Sequence, residues 1–341
     1  MKPLIILFAL LLPLLVPLNS VAQQAPSLPP NDSYLHKGSI GDAARPAEPV
    51  NPLTTLPVEE WLNQRFVFIP RTRQFQRFGY TGFLPMKSGK KKSREYESPL
   101  GSTISYEKYV GRTATVTAVN TVKPFGSYSD IGSTQLQLEL TLDDTGEKLI
   151  CEPGVYARVE GIMPTAVLDY ARKKYLDQTM WTIDGVLSTY DESRDEPGYI
   201  HVRRFSPVKV REIVVSNGSV SGGPVRFVLE TEDGKRGFVD VALSAMNIDP
   251  IDMVNYPLES ALLTNDPHRE YSWGADIWSL IEAGKVRLGM SEKQLLLSLG
   301  RPNRINSTHT ANGMSEQWVY RNNPLYQYVY LSDGIVTAVQ N

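Results

Sequence analysis

The stretch LGMSEKQLLLSLGRPNRINSTHTANGMSEQWVYRNNPLYQYVYLSDGIVTAVQN, residues 288–341, decides the fold expected for the end of this chain. Ser291 followed three residues later by Gln294 is the pattern of a capping box, which satisfies backbone N–H groups at a helix start. Gly300 and Pro302 are typical of a helix end, because glycine tolerates a positive φ angle and proline cannot continue a helix. These signals predict one capped helix.

Aromatic and β-branched residues dominate the rest of this stretch and predict three antiparallel strands. The three runs are 316–320, 327–332 and 335–341. Asp333 and Gly334 separate the last two runs and suit a tight hairpin turn. Another helix is expected upstream, because apolar residues recur there at helical spacing, at Ile277, Leu280 and Ile281. Two helices followed by three strands predict an ααβββ layer of the α+β class.

The order of these motifs resembles the SmpA/OmlA family, also called BamE-like. The matching pieces are Gly289-Met290-Ser291, Leu299-Gly300-Arg301-Pro302, Trp318-Val319-Tyr320 and Tyr328-Val329-Tyr330. The resemblance covers only residues 272–341. It implies an ααβββ fold in the cell envelope and, from the best-known members, a non-catalytic accessory role in outer-membrane protein assembly. Those members are small lipoproteins, whereas this chain carries a long preceding segment and no lipobox cysteine.

Five aromatic residues on the predicted strands are candidate partner-binding residues. Side chains alternate between the two faces of a strand, so Trp318 and Tyr320 share one face, while Tyr326, Tyr328 and Tyr330 share another. One face must pack against the helices and become core. The other face of a sheet with two helices stays open, and exposed tyrosine or tryptophan there would form a binding surface. Core and binding roles both stay open for each ring.

The N-terminus has the layout of a signal peptide over residues 1–22. Lys2 is followed by an apolar run from residue 4 to residue 18, and small residues occupy the positions before a cut after Ala22. The alternative is an uncleaved anchor, but a spanning helix needs about 20 apolar residues. No cysteine lies near the cut, which excludes lipoprotein processing. We expect a periplasmic or secreted bacterial protein with no transmembrane segment after cleavage.

Prolines and small polar residues fill residues 23–57, which predicts a disordered linker. Beyond it, two similar segments predict β-rich units over 58–173 and 174–248. The phrase WLNQ at 61–64 returns as YLDQ at 175–178, and each copy is followed by strand-like runs and a hairpin signal. Short strands joined by tight turns favour SH3-like barrels or a compact meander. Residues 249–271 contain prolines without periodicity and are interpreted as a connector.

A basic run interrupts the first unit and is a candidate anion-binding loop. Its charged residues are Lys87, Lys90, Lys91, Lys92 and Arg94. The run could bind a phosphate or lipid head group, or it could be an ordinary solvated loop. No aromatic residues alternate with the charges, and the chain carries a net charge of only −2, so a nucleic-acid partner is not expected.

The sequence offers no clear catalytic, cofactor or metal site. The four histidines are scattered, and the single cysteine, Cys151, follows a strand-like run rather than opening a helix. The acidic run 190–199 lacks EF-hand spacing. We expect an exported, non-catalytic binding or scaffolding protein whose partner is an envelope protein or a cell-wall component. The alternative is a peptidoglycan-binding or wall-modifying envelope enzyme that uses Cys151 or an acidic pair.

Overall fold

The computed structural model describes residues 56–86, 99, 101–122, 135–154, 158–191, 193–218, 223–244, 247, 256–310, 313–322 and 325–340. The chain divides into two compact units, a larger one that ends at Lys285 and a smaller one from Val286 onward. Both combine helical and antiparallel strand elements, which is compatible with the α+β class. The expected signal peptide, nearly all of the expected linker and the whole basic run lie outside the described residues.

The larger unit begins with a sheet of six strands and a separate two-stranded pair. A 3₁₀ helix, Val58–Glu60, precedes β1 (Arg65–Phe68), α1 (Arg73–Gln76), β2 (Tyr80–Thr81), β3 (Phe83–Pro85), β4 (Thr103–Ile104), α2 (Tyr106–Tyr109), β5 (Thr113–Val122), β6 (Gln135–Leu142), β7 (Lys148–Cys151) and β8 (Ile162–Pro164). The sheet order is β3-β7-β6-β5-β1-β8, and β2 pairs with β4. Alternating leucines of β6 point into the core, and Gly146 turns the chain with a φ of 71°.

Helix α3 (Thr165–Tyr175) leads into a second sheet of seven strands. Its elements are β9 (Thr179–Thr182), β10 (Val186–Asp191), β11 (Glu196–His201), β12 (Pro207–Val215), β13 (Val225–Thr231), β14 (Arg236–Val241), α4 (Leu258–Ala261), β15 (Leu262–Leu263), α5 (Pro267–Glu270) and α6 (Ala275–Glu282). The sheet order is β11-β10-β14-β13-β12-β9-β15. The expected connector 249–271 therefore contributes a short strand, β15, which pairs with β9.

The two sheets repeat one strand order. The series β7-β6-β5-β1-β8 of the first sheet corresponds to β14-β13-β12-β9-β15 of the second. The correspondence extends to irregularities, since the β5–β6 ladder shifts register after Val116 and the β12–β13 ladder shifts after Val210. Ile69 and Ile183 likewise donate their backbone N–H groups to the carbonyls of Gly161 and Ala261, the residues directly before the strands that complete the two sheets. The phrases WLNQ and YLDQ thus occupy equivalent places.

Strand β1 contributes side chains to the cores of both sheets. Phe66 and Phe68 lie in the first core, whereas Val67, between them, packs in the second core with Met163. Because successive side chains of a strand point to opposite faces, one strand serves both cores. Helix α3 packs its apolar face into the second core, and the expected boundary at residue 173 falls inside this helix.

The smaller unit differs from the expected ααβββ layer in two respects. Its described residues contain one helix, α7 (Glu292–Leu299), and four strands in the order of the chain: β16 (Arg304–Thr310), β17 (Gly313–Asn322), β18 (Leu325–Ser332) and β19 (Ile335–Gln340). Helix α6 belongs to the larger unit, where Arg204 donates to the carbonyl of Ile281 at 2.7 Å. Strand β16 was not expected, because its mostly polar sequence lacks the apolar alternation of a strand.

The start and the end of α7 follow the expected chemistry. The Ser291 hydroxyl accepts from the backbone N–H of Gln294, and the Gln294 side chain accepts from the backbone N–H of Ser291 at 2.8 Å. Gly300 ends the helix with a φ of 77°. Because these contacts are local in sequence, residue identity alone predicts the helix correctly.

Candidate partner-binding face of the C-terminal sheet

The register of β17 and β18 separates the five candidate aromatic residues onto two faces. Trp318 lies opposite Val329, and Val319 lies opposite Tyr328. Because paired residues of neighbouring strands share a face, Trp318 and Tyr320 point one way, and Tyr326, Tyr328 and Tyr330 point the other way. The expected division of the aromatic residues between the faces is therefore observed.

One of these faces forms the core of the smaller unit. Trp318 is 1% exposed and Tyr320 is 4% exposed. The Tyr320 hydroxyl donates to the carbonyl of Gly300, at the end of α7, at 3.2 Å, and Leu295 of α7 is fully buried. This burial corrects the interpretation of Trp318 and Tyr320 as candidate partner contacts, because the helix end occupies the surface that a partner would need.

Two carboxylates accompany the aromatic side chains on the covered face. Glu316 is buried and accepts from the Trp318 indole N–H at 3.2 Å and from the Ser307 hydroxyl at 3.3 Å. Burial and then the charge of Glu316 raise the pKa of Glu292, in the first turn of α7. Burial and then the charge of Glu292 raise the pKa of Tyr320 well above its ordinary value. Glu316 is therefore a core group of this unit, whereas Glu292 is half-buried in the first turn of α7.

The opposite face presents a row of tyrosines. Tyr326 is 45% exposed, and Tyr328 and Tyr330 are half-buried. The rings of Tyr326 and Tyr328 lie 6.2 Å apart between centroids and within 14° of parallel. The Arg321 guanidinium lies 5.6 Å from the centroid of the Tyr326 ring, within the range of a cation–π contact. We call the surface formed by Tyr326, Tyr328, Tyr330, Gln317 and Arg321 the tyrosine face.

Hydrogen bonds through amide side chains fix Tyr330 within the tyrosine face. Asn306 donates to the Gln317 side-chain oxygen at 2.8 Å, and Gln317 donates to the Tyr330 hydroxyl at 2.9 Å. The Tyr330 hydroxyl in turn donates to the Gln340 side chain at 3.1 Å. This chain of hydrogen bonds crosses all four strands and fixes the Tyr330 ring before any partner arrives.

The polar members of the tyrosine face were not predicted from the sequence. Gln317 and Arg321 lie on the same side of β17 as Val319, so alternation within that strand could have indicated them. Asn306 and Gln340 could not be placed, because their positions depend on the registers of β16 and β19. The arrangement offers flat aromatic surface, hydroxyl groups and a cation, which are groups that can pack against and hydrogen-bond a partner.

Cys151 lies in a poor environment for a nucleophile. The residue is fully buried in the core of the first sheet. Burial, and then the charge of Glu152, raise the pKa of its thiol, which disfavours the reactive thiolate. His201, one of the four histidines that could act as a base, is exposed on strand β11 of the second sheet, whereas Cys151 lies in the first. The geometry gives the cysteine-based alternative no support.

The acidic run 190–199 forms a hairpin between β10 and β11 rather than a simple loop. Asp191 accepts from the backbone N–H of Ser193 at 2.9 Å and from its hydroxyl at 2.6 Å. Asp195 accepts from the Tyr190 hydroxyl and, at 3.1 Å, from the backbone N–H of Arg73. Hydrogen bonds from Ser193 and Tyr190 lower the pKa values of these two carboxyls. The charges therefore stabilise a turn.

Within the described part of the chain, no group of three or more histidine, cysteine, aspartate or glutamate residues could hold a metal ion. No helix among the same residues has the length and apolarity needed to cross a membrane. Comparisons with protein-family models, with curated proteins and with solved structures returned no match. The resemblance to the SmpA/OmlA family therefore stays a prediction from motif order.

Proposed function

We propose that this chain is an exported, non-catalytic binding or scaffolding protein of the bacterial cell envelope. The tyrosine face carries the proposal, because it combines exposed aromatic surface with side chains that are already held in place. Partially exposed tyrosines contribute large contact area at low conformational cost, which is why they are enriched in binding surfaces. The signal-peptide pattern of residues 1–22 supports export.

A protein of the envelope is the partner that the tyrosine face suits best. Tyr326 offers an exposed ring near the edge of the face, and the adjacent Arg321 adds the second residue type that is typical of binding hot spots. Rigid groups lose little entropy on binding, so the fixed Tyr330 favours a specific complex. An accessory role in outer-membrane assembly is the specific form of this proposal, and it depends on the motif resemblance.

A cell-wall glycan is the second candidate ligand. The observation that favours it is the near-parallel pair of rings at Tyr326 and Tyr328, flanked by the amides of Gln317 and Gln340. Flat rings pack against the apolar faces of sugars, and amides hydrogen-bond their hydroxyl groups. In this form the chain would bind peptidoglycan without cleaving it.

Site-specific photocrosslinking in the envelope tests the proposal. A photoreactive phenylalanine analogue would replace Tyr326 or Tyr328 in the full chain, with Tyr199 as the control position. Tyr199 is a matched control because it is 55% exposed on a strand of the other unit. We expect one discrete crosslinked protein from positions 326 and 328 and none from position 199. Crosslinks of equal pattern at all three positions, or at none, would contradict a protein partner.

Pelleting with purified sacculi separates the glycan candidate from the protein candidate. Wild-type chain and the Tyr326→Ala and Tyr328→Ala variants would be mixed with sacculi and sedimented, with Tyr199→Ala as the control. If the glycan is the ligand, the first two variants stay in solution and the control sediments with the wild type. If none of the four sediments, the face does not bind the wall.

A further inference from the structure

A cleft in the larger unit has no role in the proposed function. Its volume is about 410 Å³, within the range of small-molecule sites. The connection between β1 and α1 forms one wall, residues 158–162 before and within β8 form the second, and the ends of β12 and β13 close the third. The lining thus combines segments from both sheets.

Hydrogen bonds hold the second wall in place. The Asn247 side chain donates to the carbonyls of Val159 and Ile162 at 2.9 and 2.7 Å, and it accepts from the backbone N–H of Val159 at 2.7 Å. Three bonds from one side chain fix this segment without a ligand. The cleft is therefore a preformed cavity rather than a gap between loose loops.

Thr72 places an unsatisfied polar group in this cleft. The residue lines the cleft and is only 8% exposed. Its hydroxyl oxygen is buried and has no hydrogen-bond partner among the described residues, although the residue occupies the N-cap position of α1. Buried polar groups in proteins are almost always paired. An unpaired hydroxyl in the wall of a cavity therefore points to a polar group on a ligand.

The charges of the lining favour a monoanion. Among the described residues, three charged ones line the cleft, Arg71, Arg158 and Glu160, and Arg158 pairs with Glu160 at 3.4 Å. Arg71 makes no ion pair within the described residues, and its guanidinium lies 5.1 Å from the centroid of the Tyr80 ring. Two positive charges and one negative charge give these lining residues a net charge of +1. A guanidinium that is held by an aromatic ring suits a carboxylate.

Apolar side chains complete the cleft. Ile69, Met163 and Val167 line it, and Phe75, which is 51% exposed, lies at the same surface. An exposed phenylalanine beside an arginine and a buried hydroxyl gives the cleft an amphipathic character. A fully polar anion would leave the exposed Phe75 ring in water.

We propose that the cleft binds a small carboxylate-bearing ligand with an apolar body. The carboxylate pairs with Arg71, the apolar body covers Met163 and Phe75, and an oxygen of the ligand accepts from or donates to the Thr72 hydroxyl. The volume admits a dipeptide or a medium-chain fatty acid. A peptide C-terminus and a free aliphatic acid share this chemistry.

Calorimetric titration of the full mature chain tests the proposal with two defined probes, N-acetyl-alanyl-leucine and octanoate. We expect saturable binding of at least one probe, and the C-terminal amide of the dipeptide must fail to bind. Arg71→Gln is expected to weaken binding about tenfold or more. Arg77→Gln is the matched control, since Arg77 is exposed beside α1 but does not line the cleft. If Arg71→Gln fails to fold, Arg71→Lys takes its place in the test. It retains the positive charge and should bind the probe with intermediate affinity.

Thr72→Val separates a ligand-binding hydroxyl from a structural one. Valine has nearly the shape of threonine without its hydroxyl, so the variant removes the unsatisfied group. We expect the free chain to melt at a higher temperature and to bind the probe about threefold to tenfold more weakly. A lower melting temperature with unchanged affinity would contradict the assigned role of Thr72. Absence of binding by both probes, or binding that survives Arg71→Gln, would overturn the proposal.

Discussion

Asn63 and Asp177 occupy equivalent positions in the two sheets of the larger unit. Both adopt left-handed backbone conformations, with φ angles of 66° and 59°. The backbone N–H of Asn63 donates to the carbonyl of Val116, and that of Asp177 donates to the carbonyl of Val210, each at 2.9 Å. Asparagine and aspartate tolerate this conformation better than other residues that carry a Cβ atom. The shared phrase in the sequence therefore encodes a shared backbone turn.

Alanine at either position should destabilise the larger unit. Asn63→Ala and Asp177→Ala are each expected to lower the free energy of unfolding by about 1 kcal/mol, because alanine disfavours a positive φ angle. Glycine at the same positions accepts the conformation and serves as the control. Urea unfolding of the five proteins, the wild type and the four variants, would measure the differences. Equal losses for alanine and glycine would show that the side chains, not the φ angles, matter.

The ion pair between Arg226 and Asp240 is a second feature whose removal should be measurable. The Asp240 side chain is fully buried and the Arg226 side chain is 11% exposed, with two contacts of 2.7 and 2.9 Å between them. Ser216 also donates to Asp240 at 2.8 Å. Asp240→Asn should lower the free energy of unfolding by about 3 kcal/mol, because it leaves a buried guanidinium without its counter-charge.

Asp233→Asn is the control for this ion pair. Asp233 lies in the turn of the same hairpin and pairs with Lys235, and both side chains are more than half exposed. Solvent screens such a pair, and asparagine before glycine suits the turn equally well. Little change is therefore expected in urea unfolding. A comparable loss in both variants would show that hairpin geometry, rather than the buried charge pair, determines the effect.

Local signals in the sequence predicted those parts of the fold that depend on neighbouring residues. The α7 capping box, its glycine end and the Asp233–Gly234 turn each involve residues within a few positions of one another. The short strands β8 and β15 were not predicted, because each has only two or three residues and is defined by its partner strand. Helix α6 was assigned to the wrong unit because its contacts with residues near 204 are distant in sequence.

The candidate site could be predicted only in part. Alternation separated the tyrosines from Trp318 and Tyr320, but alternation does not say which face a helix covers. The covered face is set by contacts such as that between Tyr320 and Gly300, which are 20 residues apart in the sequence. The cleft around Thr72 was missed entirely, since its walls come from segments separated by tens of residues and contain no motif.

Thiol labelling should distinguish a structural Cys151 from a reactive one. Because the residue is fully buried and its thiol pKa is raised by burial, native protein should react with a maleimide far more slowly than free cysteine. Protein in denaturant should react fully, and it serves as the control because the chain contains a single cysteine. Fast labelling of the native chain would revive the wall-modifying alternative.

The pH dependence of stability should report on Glu292. Its folded-state pKa is raised by burial and by Glu316, so the folded chain holds its proton to higher pH than the unfolded chain does. The stability contributed by the protonated form is fully present below the unfolded-state pKa of about 4.5 and is lost as pH rises through the folded-state pKa. The positive end of the α7 dipole favours the carboxylate and limits this loss.

Glu292→Gln cannot ionise and should therefore lose less stability than the wild type between pH 4.5 and pH 7.5. Melting curves at several pH values, monitored by tryptophan fluorescence, would measure the difference. Trp318 is a suitable reporter because it lies in the same core. Glu232→Gln removes an exposed carboxylate from the other unit and should leave the wild-type pH dependence unchanged. A profile of Glu292→Gln parallel to that of the wild type would show that Glu292 is not the group that titrates.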